Sequence, residues 1–239
     1  LPLLLFHSPK GGVGSTFLAA HCAMELAARG HEPIAIDFTY QGSLKLFFGL
    51  LPDQPIVRAG DDSEEELVAA GVELLDGYRL GRKAAFLKML ADPDASPFPS
   101  DKLIIADVAA ADHALKQALL PHAVLQVCTI TPGPVALASL TKVDPAQPLA
   151  ELQKTLIVVN LLDDTRTLAR HSNIFLHSAF ERLLAGTVRQ DEAVNEAVAK
   201  FETLERFRPT SAALADVRAV VTALEEHCNL GPRKEGEEG

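Results

Sequence analysis

The chain has 239 residues, 48% of them hydrophobic and 5% aromatic, enough apolar material to fill the core of one sizeable α/β domain. Its 32 acidic against 22 basic residues leave a formal net charge of −10, a field that repels nucleic acid. No segment approaches the ~18 unbroken apolar residues of a membrane-spanning helix, which argues against direct membrane insertion.

Residues 3–7 form an apolar run that predicts a buried strand, too short and without the basic flank of a signal peptide. A glycine-rich turn follows. Over 15–29, Leu18, Cys22 and Leu26 recur every four residues, predicting a helix that Gly30 ends. A second strand is expected over 33–37 and a short helix over 44–50. The prolines and acidic residues of 51–65 predict an exposed connection. A strand over 72–75, a helix over 82–90 and a proline-rich loop over 92–101 come next. Residues 103–107 read as a strongly apolar strand ending in a carboxylate. Two more strands are expected over 123–129 and 155–160, with helices between and after them. Leu214, Val217, Val221 and Leu224 mark the apolar stripe of a closing helix, and the charged, glycine-rich tail from Gly231 is expected to be disordered. Alternating helices and unbroken apolar strands predict a doubly wound, mostly parallel sheet covered by helices on both faces. We read one nucleotide-binding domain over 1–230 and a tail over 231–239. Cys22, Cys128 and Cys228 lie far apart and in no metal-ligand spacing, which argues against disulfides and fits a reducing cytoplasm.

The chemistry concentrates in Lys10, Gly11, Gly12, Val13, Gly14, Ser15 and Thr16, between the first strand and the first helix. Glycines at 11, 12 and 14 permit positive φ and let backbone N–H groups converge on phosphate oxygens. The helix start behind them adds partial positive charge. Thr16 stands where a hydroxyl ligands Mg²⁺ in a phosphate-binding loop, but Ser15 stands where such a loop carries lysine. Lys10 opens the loop instead. Asp37 ends the second strand, with Gln41-Gly42-Ser43 after it, and Asp107 ends a buried strand in the arrangement that holds a Mg²⁺-bound water. Thr16, Asp37 and Asp107 are therefore the candidate metal ligands, and Asp37 also a weak candidate for catalysis.

These three elements resemble the deviant Walker A, Walker A′ and Walker B motifs of the MinD/ParA ATPases, and the resemblance spans nearly the whole chain. It implies ATP or ADP with Mg²⁺ as ligands and a face-to-face homodimer in which Lys10 reaches the partner's nucleotide. It further implies that Asn160 reads adenine and that residues 188–197, with Arg208-Pro209-Thr210-Ser211, form a late loop closing over the base, which brings Pro209 into the nucleotide site. Within the family, the Gly-Gly-Val-Gly-hydroxyl-Thr run, Asn160 and the Arg189–Ala193 pattern are similar to the cellulose-biosynthesis (BcsQ) branch. That likeness implies an accessory subunit of a bacterial cellulose synthase complex, cytoplasmic and recruited to the inner membrane.

Two departures bear on turnover. Ser15 removes the cation that bridges β- and γ-phosphates, and Thr39 stands where partitioning relatives carry a second carboxylate. We therefore expect nucleotide binding with weak or absent hydrolysis. Of the remaining polar residues, His171 and His177 are read as surface residues, Asp163-Asp164 as capping the next helix, and Arg189 as solvated. The mixed charge of 232–239 argues against lipid binding.

Overall fold

The computed structural model describes residues 3–61, 65–92, 95, 97–99, 101–140 and 154–230. The first half alternates β1 (Leu3–His7), α1 (Ser15–Ala28), β2 (Pro33–Asp37), β3 (Val57–Arg58), β4 (Val68–Ala69), β5 (Val72–Asp76), α2 (Ala84–Leu90) and β6 (Leu103–Asp107). The second half runs α3 (His113–Leu119), β7 (Ala123–Ile130), α4 (Pro134–Ser139), β8 (Thr155–Leu162), α5 (Thr167–Ala179) and β9 (Leu184–Arg189), then α6 (Ala193–Ala199), α7 (Leu204–Phe207) and α8 (Ala212–Cys228). The strands share one sheet in the order β3-β5-β2-β6-β1-β7-β8-β9, all parallel, with β4 antiparallel on β5. The expected doubly wound fold is present.

The strands are apolar along their length because both faces are covered. β1 shows this directly: Leu4 and Phe6 face a core shared with α1 and α8, while Leu3 and Leu5 face the core under α2 and α3. A third cluster, with Cys128, Ile157 and Leu176, lies under α4 and α5. Helix α1 is buried from Phe17 through Ala23. A helix apolar on all sides belongs inside a domain, and its alanines let α8 and the sheet approach closely. The stripe of α8 packs as expected, with Leu214, Val217, Val221 and Leu224 all buried. Among the described residues, no helix is long and apolar enough to cross a membrane.

Several expectations need correction. The short helix expected over 44–50 is a 3₁₀ turn, Leu44–Phe48, ended by Gly49 at φ 79. The helix expected from 82 starts at Ala84, after another 3₁₀ turn. Part of the exposed connection pairs with the sheet as β3. Residues 188–197 are no continuous loop: Val188 and Arg189 end β9, and α6 begins at Ala193. Strand β9 escapes a sequence reading because only Val188 in it is fully buried; an edge strand lacks the unbroken apolar run of its neighbours. Asp163 does not cap α5. It closes a turn on Thr165, accepting from its N–H at 3.1 Å. The expected disordered tail lies outside the described residues.

The β4–β5 hairpin turns on Ala70 (φ 49) and Gly71 (φ 77), both left-handed. Such a two-residue turn favours Asn-Gly. Ala70→Asn is expected to raise stability by roughly 0.5–1 kcal/mol, because Asn tolerates the left-handed region that alanine resists. An unchanged or lower thermal midpoint would contradict that account.

Candidate functional site

The site is built at the carboxyl ends of the central strands, around the N-terminus of α1. Gly14 is the N-cap of that helix with φ 84 and ψ 28, and Gly12 has φ 77. These left-handed residues turn successive N–H groups toward one side of the loop, a concavity suited to an anion. Val13 is buried and anchors the loop. Its carbonyl accepts from Asn160 Nδ2 at 2.9 Å, a bond across 147 positions of sequence that ties the loop to the end of β8. A Cβ on Gly14 would lie 2.2 Å from the same Nδ2, so only glycine fits there. Asn160 thus holds the loop with the group expected to meet adenine.

Two carboxylates face this loop. Asp37 and Asp107 end β2 and β6 and sit opposite one another in register. Both are buried. Asp37 is well supported: Oδ1 accepts from the N–H of Thr39 at 2.8 Å and from its hydroxyl at 2.6 Å, and Oδ2 accepts from Leu44 N–H at 3.0 Å. Burial still raises its pKa. Thr39 therefore serves as a clamp on Asp37. Asp107 is less satisfied. Its Oδ2 has no hydrogen-bond partner. Burial, and then the neighbouring Asp37, push its pKa up to about 7, opposed by a hydrogen bond from Thr16. The Ser15 hydroxyl is also buried without a partner.

An orphaned carboxylate oxygen is costly in an apolar setting unless a cation or donor meets it. Asp107, Asp37 and the Thr16 hydroxyl are hard oxygen donors, the set Mg²⁺ takes, and Mg²⁺ commonly keeps several waters between itself and the protein. The residues fit that ion. It would neutralise phosphate charge there, and the orphaned Ser15 hydroxyl would be left to hydrogen-bond a phosphate oxygen.

A cavity of about 600 Å³ runs over the loop, lined by Gly11 to Phe17, Thr39 to Gln41 and Asp107 among others. A second lobe of about 260 Å³ lies beside it, bounded by Asn160, Arg189, Asp191 and Asn195. Gly12, Gly14, Phe17 and Phe47 line both. The wall of the second lobe is braced. Arg189 is not simply solvated: its guanidinium donates to both oxygens of Asp216, at 2.7 and 2.8 Å. Asp191 Oδ2 accepts from the Ser211 hydroxyl at 2.6 Å and from Ala212 N–H at 3.0 Å, locking the start of α8 to the end of β9.

Of the residues expected at the site, Gly11 to Thr16, Asp37, Asp107 and Asn160 converge there. Lys10 and Pro209 are exposed and line neither lobe. Sequence reasoning missed Phe17 and Phe47, which divide the lobes, and Tyr40, which lines the larger one at 82% exposure and packs edge-on against Tyr78. Asp191 carried a readable sign, an acidic residue just ahead of a helix start.

The model of the CobQ/CobB/MinD/ParA nucleotide-binding domain matches residues 4–204. A putative replication protein A of Rhizobium rhizogenes is 47% identical over 47 residues, a stretch covering 20% of this chain and 12% of that protein. Among solved structures, the septum site-determining protein MinD of Pyrococcus horikoshii, complexed with Mg-ADP, has a TM-score of 0.72 at 16% identity, covering 96% of this chain and 98% of that one. A putative plasmid partition protein of Borrelia burgdorferi bound to AMPPNP gives 0.69 at 17% identity, covering 94% and 98%. A ParA family ATPase of Chlorobium tepidum gives 0.68 at 19%, covering 93% and 98%. At such identities these likenesses carry the fold alone.

Proposed function

The chain belongs to the CobQ/CobB/MinD/ParA nucleotide-binding domain family, and from that premise we propose that it binds ATP or ADP with Mg²⁺, hydrolyses it slowly or not at all, and dimerises across the nucleotide. The observation that carries this reading is the left-handed glycine loop facing two buried strand-end carboxylates, one of them with an unsatisfied oxygen, inside a two-lobed cavity. The MinD of Pyrococcus horikoshii, a structural neighbour, was solved with Mg-ADP. Weak turnover follows from Ser15, which brings no charge to the phosphates, and from Thr39, whose hydroxyl is engaged with Asp37. Lys10, exposed at the rim, is free to reach a second copy.

For the setting we propose an accessory subunit of a bacterial cellulose synthase complex, cytoplasmic and recruited to the inner membrane. Its support is the sequence likeness in Gly11–Thr16, Asn160 and Arg189–Ala193. A second reading, a partitioning or positioning ATPase, is favoured by the replication and plasmid-partition proteins among its relatives. The net charge of −10 weighs against a DNA-bound cycle.

Calorimetric titration of ATP and ADP with Mg²⁺, with mass followed by light scattering, tests the core reading. Micromolar binding together with a dimer is expected. Absence of binding for both nucleotides would leave a scaffold that keeps only the fold, and DNA-stimulated turnover would move the assignment to partitioning. Ser15→Lys is expected to tighten ATP binding about tenfold, since charge-assisted contacts to phosphate are the strong ones. Hydrolysis by the same variant should rise roughly a hundredfold, the scale of one restored transition-state contact. Unaltered affinity in the single variant would remove Ser15 from the explanation.

A further inference from the structure

Strand β8 breaks its own alternation beside the phosphate loop. Leu156 and Val158 face the core shared with α1 and α8, while Ile157 and Val159 face the cluster under α4 and α5. Successive side chains of a strand point to opposite faces, so residue 161 should follow Val159 under α5. It does not. Leu161 has φ 58, is 40% exposed and lines the second lobe together with Asn160. The register shows how it leaves: Val159 pairs with Thr187 and Leu162 with Arg189, three steps along β8 against two along β9. The extra residue is a β-bulge, a device that re-aims a side chain.

Leucine is a poor choice for this conformation, which glycine and asparagine adopt more easily. It also gives up burial under α5. Outliers of this kind persist where the surrounding structure holds them, and they gather at ligand sites. Among the described residues, five that are not glycine have left-handed φ, and only Leu161 lines a lobe of the site. In the same lobe, Phe17, Phe47, Val194 and Ala213 supply apolar surface, while Arg189 and Asp191 are already engaged with Asp216 and Ser211. A flat ring loses water favourably against such walls.

We propose that Leu161 is a specificity-determining residue: the bulge turns its side chain onto the base of the bound nucleotide, which the second lobe holds by apolar contact. The proposal rests on the nucleotide reading above. It gives Leu161 and Asn160 separate tasks at adjoining positions, since Asn160 Nδ2 stays on the Val13 carbonyl at 2.9 Å and keeps the loop in place.

The test compares Mg-ATP with Mg-tripolyphosphate, which has the phosphates but no base, by calorimetry on the full chain. Wild type should prefer ATP. Leu161→Gly keeps the backbone, because glycine adopts φ 58 freely, and removes the side chain. Its ATP affinity should fall about tenfold with tripolyphosphate affinity unaltered. Leu161→Met, close in volume, should keep the ATP preference within about twofold of wild type. A role confined to the fold would weaken both ligands together in the glycine variant, and that result, or an unchanged ATP preference, overturns the proposal. Thermal midpoints test the strain: Leu161→Gly should melt about 2–4 °C above Leu161→Ala, the reverse of the usual order in a strand. An alanine variant at or above the glycine variant overturns the account of the bulge. Wild type that binds tripolyphosphate as tightly as ATP removes the base contact and leaves the phosphate site standing. Wild type that binds neither sinks the nucleotide reading itself, and this proposal with it.

Discussion

Gly14→Ala is expected to abolish nucleotide binding and to cost about 2–3 kcal/mol of stability even without ligand. Two effects add at this residue. Alanine resists φ 84, a penalty of roughly 1–2 kcal/mol. Its Cβ would also lie 2.2 Å from Asn160 Nδ2, forcing that side chain off the Val13 carbonyl and losing a buried hydrogen bond worth about 1 kcal/mol. The loop then loses both its N–H geometry and its tether, so affinity should fall at least about a hundredfold. Gly11→Ala is the control, because a Cβ there meets nothing within 4 Å and the residue does not occupy the left-handed region. Urea denaturation of both variants, with ATP titration, decides the matter. Equal loss in the two would show that the steric argument at Gly14 is wrong.

Asp107→Asn is expected to stabilise the ligand-free protein above neutral pH while weakening binding of Mg-nucleotide. The wild-type carboxyl has its pKa raised to about 7 by burial and by Asp37. A raised carboxyl favours the protonated native state, so its contribution is fully present below the unfolded value near 4 and is lost as pH climbs through 7. The loss amounts to about 4 kcal/mol by linkage. The asparagine variant removes that dependence, and its stability at pH 8 should exceed that of the wild type. Below pH 4 the two should converge. Asp37, raised in the same direction, leaves a residual slope of the same sign. Denaturation midpoints from pH 4 to 8 measure this, and parallel curves for the two proteins would show that Asp107 is not held where the orphaned oxygen implies.

Much of the site is readable from residue order because its parts are local signals at strand ends. Lys10 to Thr16 follow an apolar run and precede an alanine-rich helix, while Asp37 and Asp107 each close a buried strand. Such signals survive without tertiary knowledge. What stays hidden depends on residues far apart in sequence. The bond from Asn160 to Val13 has no local signature, and neither has the brace between Arg189 and Asp216. Phe17 and Phe47 look like ordinary core residues, since their shared role comes from where α1 and the Leu44–Phe48 turn cross. Edge strands are hidden for the opposite reason: β9 is half-exposed and contains Gly186, so its composition resembles a loop.

The position of β1 between β6 and β7, with the loop bound to Asn160, orders the birth of the protein. The phosphate loop is translated before either neighbour of its strand, one of which is complete only at residue 107 and the other only at residue 130. Its tether comes later still. Contacts so distant in sequence form slowly, because loop closure must precede them. A nascent chain therefore carries the phosphate loop long before it owns a binding site, and ligand can stabilise only a chain that has grown past Asn160. Growing intermediates would present apolar strands with unpaired edges, so nucleotide should rescue folding yield after release from the ribosome and do nothing for chains truncated before Asn160.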